Sequence, residues 1–131
     1  MKLFTNGVIM VKEIQMDPDD IIEYVRNNVK VDDIFELSYN RVFAPGTVLG
    51  LTPEDEETGE GLILSLQLNG ELLNQAVDID LHKVKDEIIE FRHMPGGDED
   101  KLIIVEATLW IQPFIFYNFF YSSLISFNKY K

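Results

Sequence analysis

No cysteine occurs in this chain, which excludes a disulfide framework, thiolate nucleophiles and cysteine-based zinc sites. The absence fits a reducing compartment, and a cytoplasmic location is the expectation. Cations are also scarce: 11 Lys and Arg stand against 23 Asp and Glu, a formal net charge of −12. Phosphate backbones are held by clustered Lys and Arg, so nucleic acid is excluded as a partner and anionic membranes are disfavoured. Two histidines without cysteine supply no zinc set. No nucleophile motif or phosphate loop is present, so no metal and no cofactor is expected. The opening MKLFTNGVIMVKEIQM lacks the continuous apolar core and small-residue cleavage site of a signal peptide. Met1 and Met10 both remain candidate starts.

At 131 residues and 46% hydrophobic content, the chain suits a single domain, 1–131, with a true core. Its strands announce themselves by period-two alternation. Val8 to Met16 reads as the first. Asp17-Pro18 then gives a helix N-cap and a first-turn proline, and Asp19 and Asp20 suit the positive end of the helix dipole. Ile21, Ile22 and Val25 make a short apolar face, and Asn27-Asn28 ends the helix. A second strand is expected from Ile34 to Phe43, with Ala44-Pro45-Gly46 as a turn or bulge before Thr47 to Leu51. The acidic run from Thr52 to Gly61 reads as a solvated hairpin loop; calcium is the alternative, but the spacing matches no EF-hand.

Leu62 to Leu68 carries leucine at every second position, and Asn69-Gly70 follows as a hairpin turn. Leu72 to Val84 is read as the returning strand and Glu87 to Met94 as the next. In Leu102 to Ile111, Ile103, Val105, Ala107 and Leu109 alternate with Glu106, Thr108 and Trp110. Gln112-Pro113 breaks that strand. From Phe114 to Tyr130 the spacing of Phe116, Phe120, Leu124 and Phe127 is that of an amphipathic helix. Ala107 to Phe127 holds no charged residue and by length alone would suit a membrane span. Gln112, Pro113, Asn118 and Ser122-Ser123 argue against one; peripheral contact with a membrane surface is the milder alternative.

The expected fold is α+β: a curved antiparallel β-sheet of about six strands wrapped around a long C-terminal helix, with a short helix after strand 1. This order resembles the START-related, Bet v 1-like and polyketide cyclase-like helix-grip superfamily. The resemblance runs from Val8 to Lys131 and rests on the Asp17-Pro18 helix start, the Asn69-Gly70 hairpin, and Leu102–Ile111 leading through Pro113 into Phe116–Phe127. Asn27 to Asp33 leaves little room for the second short helix usual in that superfamily.

The resemblance implies a pocket between sheet and terminal helix for a hydrophobic small molecule or lipid. Leu37, Tyr39, Leu64, Leu66, Val77 and Phe91 are the expected sheet lining, with Leu109, Phe116, Phe120 and Leu124 from the last strand and helix. The same residues equally suit a filled core. Among polar residues on apolar faces, Arg41 suits a ligand carboxylate and Gln75 lies between Leu73 and Val77. His93 shares the face of Phe91 but stands at a strand end, where exposure is expected. Glu106 and Trp110 face the other way, and Trp110 would suit a homodimer contact.

The leading expectation is a small-molecule binding or carrier protein. Its rivals are a cyclase- or dehydratase-like enzyme using Arg41, Tyr39 and His93, a filled-core interaction protein, and a tail-anchored protein. The enzyme reading requires those three side chains to converge.

Overall fold

A computed structural model of the protein describes residues 10–70 and 75–108. Its strands are β1 (Met10–Met16), β2 (Ile34–Tyr39), β3 (Val42–Thr52), β4 (Ile63–Leu68), β5 (Ala76–Asp80), β6 (Ile88–Met94) and β7 (Lys101–Ala107). They form one sheet in the order β1-β7-β6-β2-β3-β4-β5. The helices are α1 (Pro18–Asn28) and the single turn α2 (Leu81–Val84).

This arrangement overturns the helix-grip expectation. Among the described residues the sheet has seven strands and is mixed, because β1 pairs in parallel with β7 while the other neighbours are antiparallel. β6 returns to the side of β2 rather than lying beside β5. The long helix that lies on the sheet among the described residues is α1, near the start of the chain. The expected terminal helix, with Phe116, Phe120 and Leu124, lies outside the described residues, as do Leu109 and Trp110. Periodicity tells which face a side chain takes, but it does not tell which strands are neighbours.

Helix α1 forms where its caps predict. The Asp17 carboxylate accepts from the Asp20 N–H at 2.8 Å, Pro18 opens the first turn, and Arg26 complements the carboxyl end. Ile21, Ile22 and Val25 are buried against one face of the sheet. There they meet Phe35 and Leu37 of β2, Ala44 and Val48 of β3, Leu64 and Leu66 of β4, Phe91 of β6 and Val105 of β7. Burial of each large side chain stabilises by roughly 1.5–3 kcal/mol.

The β2–β3 connection falls earlier than the sequence suggests. Asn40 takes a left-handed conformation (φ 50°), so the chain turns at Asn40-Arg41, and Ala44-Pro45-Gly46 runs on as part of β3. Pro45 is tolerated inside the sheet because its carbonyl accepts from Asn69 N–H, just beyond the end of β4. Its missing N–H therefore falls where the ladder has already stopped. Gly46 is required because a Cβ there would overlap the Gln67 carbonyl. The expected strand Leu72–Val84 is also shorter. Asp80 caps His82 N–H, and buried Leu81 begins α2, which starts the crossover to β6.

Candidate functional site

The only buried polar residues among those described are Asp33 and His93, 4% and 1% exposed. Sequence reasoning expected His93 at an exposed strand end. Instead β6 runs on beneath α1, and the ring is enclosed by Tyr24, Phe35 and the carboxylate of Asp33. His93 Nε2–H donates to Asp33 Oδ2 at 2.7 Å, and the Tyr24 hydroxyl donates to His93 Nδ1 at 2.6 Å. Asp33 also accepts from the N–H groups of Lys30 (2.9 Å) and Gly96 (2.8 Å). Its own carbonyl accepts from Val48 N–H. The chain Tyr24–His93–Asp33 thus ties α1, the α1–β2 loop and the end of β6 together.

The order hydroxyl, imidazole, carboxylate resembles a nucleophile relay, but the electrostatics run the other way. Burial pushes the Asp33 carboxyl up, yet its bonds to His93, Gly96 and Lys30 outweigh this and hold it below its ordinary value. Burial, with the Asp33 charge, pushes the Tyr24 phenol up to about 12. A lowered pKa is one route to an activated nucleophile, and Tyr24 does not take it. The Tyr24 ring also packs on Phe91, with centroids 5.3 Å apart. The trio acts as a polar latch between α1, the α1–β2 loop and the end of β6.

A second cluster lies at the rim of the same layer. Glu54 accepts a two-pronged bond from Arg26 and a 3.0 Å contact from His82 Nε2. The Arg26 fork, followed by His82, holds Glu54 down to about 2. Arg26 also reaches Glu23, and Lys85 donates to Asp19 at 2.9 Å. These contacts fasten α1 to the β3–β4 loop and to the crossover after α2. In that loop, Asp55 accepts from the N–H groups of Glu57 and Thr58, as a solvated turn does. No group of three or more His, Asp or Glu side chains among the described residues has metal-binding geometry.

The opposite face of the sheet is different. Val11 pairs with Leu102, Met94 with Ile34, and Ile34 in turn with Thr47. Leu102 and Met94 each stand one residue beyond the His93–Ile103 pair, so the five form one line across the strands, each half-buried. In the next line Glu13 pairs with Ile104, and Arg92 lies between Ile104 and Glu36. In the third, Gln15, Glu106, Glu90, Ser38 and Phe43 follow one another. Phe43 is 61% exposed, and Leu49, the extra residue of a β3 bulge, is 48% exposed. The apolar residues of α1 and α2 belong to the core on the other side, so no helix among the described residues packs here.

The residues expected to contact a ligand scatter between these regions. Leu37, Leu64, Leu66 and Phe91 are fully buried in the core under α1, with Tyr39 and Val77 packed at its margin. Arg41 is exposed in the β2–β3 turn, and Gln75 is exposed before β5. Tyr39 and Arg41 lie at one end of β2, whereas His93 pairs with Phe35, four residues up from Tyr39. That is roughly 13 Å along the strand. The three side chains do not converge. Sequence reasoning missed Tyr24, Asp33 and Glu54. One signal was available: His93 shares the inward face of Phe91, and a polar residue there requires a buried partner.

Residues 12–105 match the model of a family described as an uncharacterized protein conserved in archaea (DUF2097). The matched span is more than half of the chain and runs from β1 to β7. The chain belongs to the DUF2097 family. The latch, the rim cluster and most of both sheet faces fall within the DUF2097 span, with Val11 and Glu106 just outside it. No curated protein and no solved structure matches the chain. No helix among the described residues is long and apolar enough to cross a membrane.

Proposed function

We propose that this protein is an interaction module that uses the sheet face opposite α1 to dock a protein partner. One observation carries the reading: the two faces of one sheet are built to different ends. The α1 side is filled by interlocking side chains, and its polar groups are mutually satisfied. The other side combines a line of half-buried apolar residues with exposed Phe43 and Leu49. Large aromatic and aliphatic groups on an open surface are characteristic of the centre of a protein interface.

A carrier reading would need room among Leu37, Leu64, Leu66 and Phe91, and these are fully buried together in the packed core. An enzymatic reading would need a convergent polar set, and the one expected does not form.

Site-specific photo-crosslinking in an archaeal host tests the proposal. A photoreactive side chain at Phe43 should yield a discrete protein adduct, and the same group at Asn27 on α1 should not. Equal adducts from both positions, or none from Phe43, would overturn it.

A further inference from the structure

Resting on the docking reading, we propose that the occupant of the open face is a basic amphipathic segment of another protein. Two features of the face select it. Its line of Val11, Leu102, Met94 and Ile34, ending at Thr47, crosses β1, β7, β6, β2 and β3, four inter-strand spacings or roughly 19 Å. A helix of about 14 residues is roughly 21 Å long and lays one apolar stripe over that distance.

Beside this line stand the carboxylates of Glu13, Glu36, Glu90 and Glu106, with Arg92 as the cation among them. Glu90 and Glu106 are direct cross-strand partners, an arrangement in which like charges repel. Arg92 reaches Glu90 only at 3.9 Å. Lysines or arginines from a partner would relieve this repulsion, and the net charge of −12 would draw them in.

Other occupants fit less well. A second copy would bring the same acidic rows and the same net charge against this face. Residues 109–128 contain no charged side chain, so the chain's own tail brings only Lys129 and Lys131 to four carboxylates.

The test uses the full chain and two synthetic peptides of about 14 residues. One is amphipathic leucine/lysine, and the other carries glutamate at every lysine position. Binding is measured by calorimetry and mapped by NMR. The leucine/lysine peptide should bind saturably and shift the resonances of Ile34, Met94, Leu102 and Ile104. The double variant Glu90→Gln/Glu106→Gln should weaken it about tenfold, and raising salt from about 0.05 to 0.5 M should do the same.

Equal binding of the glutamate peptide, or no effect of the double variant, would overturn the basic partner while leaving an apolar docking face. Shifts confined to the acidic surface of α1 would overturn the site. Contacts from residues 109–131 to these four residues, or self-association through them, would replace the proposed occupant. If neither peptide touches the face and crosslinking from Phe43 also fails, the docking reading falls as well.

Discussion

Tyr24 places its hydroxyl 2.6 Å from a buried nitrogen of His93, and removing that hydroxyl takes away the nitrogen's partner. Tyr24→Phe should therefore cost about 1–3 kcal/mol in denaturant unfolding. The same substitution should change the alkaline profile. The phenol's ordinary value is 10.0, and burial with the Asp33 charge pushes it up to about 12. Between those values the unfolded chain releases the proton while the folded chain keeps it, so stability falls as pH rises from 10 to 12. In Tyr24→Phe this part of the fall should vanish, and an unchanged slope would show that Tyr24 does not titrate in this way. Glu54 behaves in the opposite sense. Held down to about 2 from 4.5 by Arg26 and His82, it contributes stability above 4.5 that is lost as pH falls toward 2. Glu54→Gln should flatten that acid limb in a pH series of melting temperatures. None of these partnerships was legible in the sequence. Tyr24 and His93 are 69 residues apart, and their meeting depends on α1 crossing β6.

Local signals did better at the level of single elements. The Asp17-Pro18 start of α1 is where the sequence places it, because capping is settled by residues within one turn. Asp17→Ala should cost about 0.5–2 kcal/mol, with the loss read as lower helicity and an earlier unfolding midpoint. Ile103, Val105 and Ala107 also turn inward as their alternation requires. The failures have a common physical cause. Ala44-Pro45-Gly46 has the composition of a turn, yet Pro45 is accommodated where β4 ends, and Gly46 is demanded by the close Gln67 backbone. Both explanations involve a strand some twenty residues away, which no local rule can see. Gly46→Ala should accordingly destabilise by about 1–3 kcal/mol, although alanine suits a strand better by propensity. A neutral or stabilising result would mean that β3 and β4 lie farther apart than described.

For the molecule as a whole, strand order decides what the surface can do. The crossover from β5 to β6 returns the chain beside β2, and β7 then takes β1 as a parallel edge. This brings Glu13, Glu106 and Glu90 into adjacent strands of one face, although no charge run in the sequence marks them. Glu90→Gln/Glu106→Gln should stabilise the free protein by about 0.2–1 kcal/mol, since it removes a like-charge cross-strand pair. Stability gained where binding is lost would mark the repulsion as a feature kept for a partner. The most direct test of two unlike faces is native mass spectrometry of the full chain taken gently from an archaeal host. A protein-sized adduct that disappears in the variant Phe43→Asp/Leu49→Asp is expected, and no small-molecule adduct. A lipid-sized extra mass that survives this variant would contradict it, because it would place a ligand within the layer under α1.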